Sequence, residues 1–265
     1  MRVALREVGI VGPGLTDWTS ARAVLRGEQP YVTAPIQARP LLGLPANEAR
    51  RATLATRLAL DAARQATTDT DRARLSSVFA SSDGDMSLID SLCRDIFQHR
   101  FPPSPTVFQN SVHNAVAGYW SIAEGCRQPS TSLAAGDGSF AAGLLEAATQ
   151  AVCTAGPALL VAFDLPAPEL LYPHRPFGCA FACALLLEPA TPDTALVRLD
   201  LALCAADDGN AQTPMRNPEL EAMRRRNPAA RALPLLTAIA ADQDAAIQLP
   251  YWPDLRLDVR LSRGA

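Results

Sequence analysis

The chain has 265 residues, 48% of them hydrophobic and 19% charged, the composition of a globular protein with a substantial core in one large domain or two small ones. A net charge of −3 and the lack of any basic block argue against a nucleic-acid partner. All 24 basic residues are arginine, which excludes lysine-dependent chemistry such as a Schiff base.

In chain order, Arg2 to Val11 alternates as a strand and is closed by Gly12-Pro13-Gly14. Its start is interrupted by Arg6 and Glu7 and lacks a signal peptide's apolar core. No window holds the ~18–20 continuous apolar residues that span a bilayer, so a cytoplasmic location without a membrane span is expected. Residues 16–27 read as a short helix capped by Thr16 or Asp17, and the prolines of 28–45 as an irregular loop. One helix over 47–66 is expected, capped by Asn47 with Leu54, Leu58 and Ala62 on successive turns. A strand over 75–81 follows, then a helix over 86–98 entered through Ser82-Asp83-Gly84-Asp85. That loop lacks the spacing and closing glutamate of a calcium site, so capping is the better reading.

Residues 110–156 read as helix, strand, helix. Val112, Val116, Tyr119, Trp120 and Ala123 form the stripe of the first helix. Thr131, Ser132, Leu133, Ala134 and Ala135 form a short strand. Gly136, Asp137 and Gly138 turn a tight corner, and Ser139 or Asp137 caps an Ala-rich helix that ends at Gly156. Further strands are expected over 158–163, 178–188, 194–205 and 255–261, and a helix over 233–241, with a Pro-rich loop around His174. Alternation of strand and helix argues for a layered α/β fold with a mainly parallel sheet. The six cysteines are scattered without a CxxC pair; reduced core thiols are expected, with no metal and no cofactor.

A small-residue corner between a buried strand and a helix amino terminus is where many enzymes display a nucleophile. Here it displays Ala135. The stretch resembles the nucleophile region of the β-ketoacyl synthases, enzymes of the thiolase fold, with Ala134-Ala135-Gly136-Asp137-Gly138 in place of Ala-Cys-Ala-Ser/Thr-Gly. The helix containing VHNAVAGYWSIA is similar to that of the chain length factor subunits of aryl polyene pigment synthases. The resemblance runs from about residue 3 to 188, is most specific over 110–150, and is weak beyond 210.

It implies a thiolase-like layered fold: one half over 1–190 with a mainly parallel five-stranded sheet, and a truncated second half with a Pro/Arg-rich tail over 191–265. The family's catalytic histidines lie in Gly/Thr-rich and Asn-Gly-Phe-Gly-rich motifs, neither of which occurs after residue 194. Condensation needs a thiolate to take the acyl group and imidazoles to promote decarboxylation. With Ala135 at the nucleophile position, the resemblance implies no catalysis by this chain alone. It implies a heterodimer with an active β-ketoacyl synthase that is served by acyl carrier protein. The 131–135 strand would meet the partner, and Leu88, Leu92, Ile96, Phe108 and His113 are candidates to line the acyl tunnel.

Ordinary core is the alternative for the stripe of Met86, Ile89, Leu92, Cys93, Ile96 and Phe97, and a satisfied helix histidine for His113. Two rival functions stay open: a thioester hydrolase or decarboxylase using Ser139, His113 and Asp137, and a homodimeric acyl-binding module.

Overall fold

The strands that the sequence alternation marks assemble into one sheet. The computed structural model describes residues 1–37, 39–100, 102–191, 197–206 and 212–263. Its sheet has eight strands in the order β3-β2-β4-β5-β1-β6-β8-β7. These are β1 (Arg2–Val11), β2 (Ser76–Ala80), β3 (Ser130–Leu133), β4 (Ala158–Asp164), β5 (Phe181–Pro189), β6 (Val197–Ala205), β7 (Ala245–Trp252) and β8 (Leu255–Arg263).

Successive side chains of a strand point to opposite faces, and both faces here are apolar. Val78, Ala80, Leu160, Cys183 and Leu185 belong to one buried cluster, with α7 (Ser139–Thr154) and α9 (Leu233–Ala241). Phe79, Leu159, Val161, Ala184 and Leu186 belong to the other, with α3 (Leu54–Gln65) and α6 (Ala115–Glu124). Helices on both faces of a sheet buried on both sides make a three-layer α/β architecture.

The five strands of residues 1–190 form the expected mainly parallel sheet, with one strand reversed. β3, β2 and β4 pair in parallel, but β5 is antiparallel to both β4 and β1. Four of the five strands drawn from residues 1–190 thus share one direction, with β5 reversed. The 165–180 connection holds no helix that could carry the chain back for a parallel crossover. The sheet also does not stop at five strands. β6 pairs with β1 rather than with β5, and β8 and β7 continue it antiparallel.

Two expected helices are each divided. Residues 46–65 form α2 (Ala46–Arg51) and α3, because Ala52 is extended and the Thr53 hydroxyl caps a new helix at Thr56 N–H, 3.4 Å away. Asn47 therefore lies inside α2 rather than capping it, and Leu54 is exposed at the first turn of α3. Likewise α5 (Pro105–Ser111) ends where Val112 is extended, and α6 begins at Ala115, so His113 occupies the turn between them. Val112 is exposed, while Val116, Tyr119 and Trp120 are buried.

Several local signals hold. Asp17 caps α1 (Trp18–Leu25), accepting from Ser20 N–H at 2.9 Å, and Asp85 caps α4 (Met86–Phe97). Residues 194–196, expected at the start of β6, lie outside the described residues. In the tail, α8 (Pro218–Arg225) is set by Asn217, whose side chain accepts from the N–H groups of Glu219 and Leu220.

Candidate functional site

The corner after β3 is built for close approach. The strand ends at Leu133, two residues earlier than expected, so Ala134 and Ala135 leave it. A 3-10 turn over Gly136–Gly138 leads into α7. Gly136 has φ +53, in the left-handed region that glycine occupies without steric cost. Gly138 is buried, and a Cβ there would run into the Tyr251 carbonyl of β7. The tail is thereby packed directly onto the corner.

Ser139 does not cap α7, as the sequence had suggested. It is buried, and its hydroxyl accepts from Ala135 N–H at 2.9 Å and donates to the Gly136 carbonyl at 2.7 Å. The oxygen closes the turn from within. Beside it, half-buried Ala135 faces a cleft of about 400 Å³ lined also by Asp137, Gly138, Arg231, Tyr251 and Trp252. At the corner the cleft thus meets a methyl group.

Charged groups ring this cleft. Arg175, from the Pro-rich loop, donates to Asp83 at 2.8 and 3.0 Å and to Asp137 at 3.1 Å. Arg231 donates to the other Asp137 oxygen at 2.8 Å. Burial lowers the Arg231 pKa and the carboxylate of Asp137 opposes that shift. Asp137 is therefore a bridge between two guanidiniums, one from the loop after β4 and one from the tail.

Behind the corner, fully buried Asp164 ends β4. One of its oxygens accepts from Ser82 N–H at 2.8 Å and from the hydroxyls of Ser81 and Ser82 at 3.0 Å. The other accepts from Ala229 N–H at 3.0 Å, which anchors the tail to the sheet. Burial pushes Asp164 up to about 7 although the Ser82 and Ser81 donors favour its ionised form. Asn227 completes the anchor by donating to the carbonyls of Asp164 and Cys179.

The structure does not bring the sequence-predicted residues into one catalytic group. His113 Nε2 lies 3.0 Å from the Ser81 carbonyl and packs beneath the Ser81–Gly84 turn. Ser139 and Asp137 bond to the partners already described, so each member of the rival triad is engaged elsewhere. The α4 stripe is not ordinary core, since only Met86 of that helix is buried. Ile96 is 53% exposed, Phe97 84% and Phe108 of α5 62%, while Leu88 and Leu92 are half-buried. An amphipathic helix whose apolar side meets solvent has a face without a partner. β3 is an edge strand of the sheet.

Sequence reasoning missed Arg175, Arg231 and Asp164. Only Asp164 left a signal, as the lone carboxylate ending the otherwise apolar run ALLVAFD. All six cysteines are free thiols; Cys183 is buried, but Cys93 and Cys153 are exposed, against the expectation of core positions throughout. Among the described residues no group of three metal-ligating side chains occurs, and no helix is long and apolar enough to cross a membrane.

Known structures share this architecture. One is a chain of a ketosynthase (ApeO) in complex with its chain length factor (ApeC) from Xenorhabdus doucetiae, with TM-score 0.72 and 22% identity over 99% of this chain and 100% of that one. Another is from the ishigamide ketosynthase/chain length factor, with TM-score 0.76 and 13% identity over all of both chains. A third is from a type II polyketide synthase acyl-carrier protein in complex with its ketosynthase (AntDE:AntF), with TM-score 0.70 and 13% identity over 99% of each chain. At such identities the likeness establishes the thiolase-like ketosynthase fold. No curated protein sequence matches the chain. The family model for the β-ketoacyl synthase N-terminal domain matches residues 18–248, and the chain belongs to that family.

Proposed function

We propose that this chain is a non-catalytic, chain-length-factor-like subunit that pairs with an active β-ketoacyl synthase and shapes the tunnel for a growing acyl chain. The observation that carries this reading is Ala135. A family whose chemistry requires an acylated cysteine cannot run it on a methyl group. The nearest hydroxyl, on Ser139, is buried and committed to the turn, which disfavours the hydrolase alternative.

The partner supplies the nucleophile and histidines, and acyl carrier protein reaches this chain through the complex. Thr131, Ser132 and Leu133 pair with the synthase across a two-fold-like axis, while Ala134 and Ala135 sit just past the paired segment. Leu88, Leu92, Ile96 and Phe108 of α4 and α5 reach toward the partner's tunnel and set its depth; His113 stays beneath them as support. In this reading residues 1–190 are the thiolase-like half and 191–265 a reduced second half, in the cytoplasm. The resemblance of the VHNAVAGYWSIA helix favours an aryl polyene-type product.

The test is product length in a reconstituted system of synthase, acyl carrier protein and this chain. Leu92→Trp and Phe108→Trp are expected to shorten the product by at least one condensation without abolishing it. Product lengths identical to wild type in both variants would contradict the tunnel role.

A further inference from the structure

Behind the corner the tail forms a second cleft of about 440 Å³, lined by Gln212, Glu221, Arg224, Arg225 and Arg231. Among the described residues its charges are not matched. Glu221 is taken by Arg224 through two hydrogen bonds of 2.7 Å, and Asp137 by Arg231 at 2.8 Å. Arg225 is exposed on the same cleft. Among the described residues, three guanidiniums therefore line a cleft whose one lining carboxylate, Glu221, is already engaged, while Asp137 reaches Arg231 from outside it.

The arrangement at Gln212 is the informative feature. Its side-chain oxygen accepts from Arg224 at 2.8 Å and from Arg231 at 3.2 Å. Both guanidiniums are largely withdrawn from water, with side chains 7% and 13% exposed. Two cations that share one acceptor repel each other, and a neutral amide oxygen offsets this poorly. Hydrogen bonds from guanidinium to an anionic oxygen are roughly twice as strong as to a neutral one. Planar, pre-oriented guanidiniums are also suited to phosphate oxygens.

We propose that this cleft binds a phosphate group, whose oxygen takes the place of the Gln212 amide oxygen between Arg224 and Arg231 while Arg225 closes over it from the surface. The cleft joins the tail to Asp137, so occupancy ties the tail more firmly to the corner. The site does not depend on the partner reading, because all of its residues belong to this chain. Two sources share the chemistry: free inorganic phosphate, and the phosphate end of an organic monoester.

Thermal unfolding of the full chain tests the proposal, with inorganic phosphate compared against chloride at equal ionic strength and pH. Wild type is expected to gain roughly 3–5 °C at about ten times Kd, rising logarithmically with phosphate above that. Gln212→Glu, which places an anionic oxygen at the focus, is expected to unfold at a higher temperature in chloride and to lose the phosphate response. Arg225→Ala is expected to keep the wild-type midpoint in chloride while its phosphate Kd rises roughly five-fold or more. Competition between phosphate and glycerol 3-phosphate, followed by ³¹P line width, separates the sources: the tighter ligand identifies which one the cleft is shaped for. Equal wild-type midpoints in phosphate and chloride would overturn the proposal. So would a full phosphate response retained in Gln212→Glu, or an undiminished one in Arg225→Ala.

Discussion

The two edges of the sheet are treated differently. At the β7 edge, Thr213 lies alongside: its N–H donates to the Gln248 carbonyl at 3.1 Å and its hydroxyl accepts from Gln248 N–H at 2.9 Å. Pro250 removes a further donor from that strand. At the β3 edge, the Pro129 carbonyl accepts from Ser77 N–H of β2 and the Leu133 carbonyl from Ser81 N–H just past it. By the alternation of a parallel ladder, Ser130, Ser132 and Ala134 turn their N–H and C=O groups outward. An open edge is a liability that proteins normally blunt, and so are the bare apolar faces of α4 and α5. That one edge is capped and the other left open teaches where the chain expects company.

The comparison can be broken most directly at Ser132. Proline there removes an outward N–H without touching the groups that bond to β2, so Ser132→Pro is expected to weaken synthase binding at least roughly 100-fold while the isolated chain stays folded. Surface plasmon resonance beside circular dichroism would read both; unchanged affinity would mean that the open edge is not the docking strand.

Between the edges, Asp164 gives a pH signature. Its folded value of about 7 lies above the usual 3.8. From about pH 4 to 7 the folded chain therefore keeps a proton that the unfolded chain has released, and stability falls as pH rises through that window, by on the order of a few kcal/mol. Urea titrations at pH 5 and 8 are expected to show that slope in wild type and a flatter one in Asp164→Asn. An equal slope in both would remove Asp164 as its source.

Two smaller effects concern the capped side. Gly138→Ala sets a methyl group against the Tyr251 carbonyl and is expected to cost about 2–3 kcal/mol in unfolding free energy. Thr213→Val leaves Gln248 N–H without its acceptor and is expected to cost about 1 kcal/mol and to promote self-association, visible by light scattering.

Much of the fold was legible where the local signal was strong. β1, β4 and α9 carry dense apolar runs, and Asp17 and Asp85 announce their helices. The breaks at Ala52 and Val112 were hidden because neither residue is a breaker; an extended backbone at one position divides each helix. The reversal of β5 and the pairing of β6 with β1 depend on sheet order, which no local pattern encodes. At the corner, Ala135 is singled out by the small-residue strand-to-helix pattern and by the family resemblance. The bonds around it could not be read in this way, because Arg175 and Arg231 reach Asp137 across 38 and 94 residues. Exposure of Phe97 and Phe108 was equally invisible, since an amphipathic stripe looks the same whether it faces a core or a partner.

The central claim is that the open edge and bare apolar face await an active synthase. Co-expression with the synthase encoded nearest to this chain, followed by size-exclusion chromatography with light scattering, tests it most directly. A one-to-one complex with a mass near the sum of the two chains is the predicted result. A well-behaved monomer or homodimer that elutes apart from the synthase would contradict it.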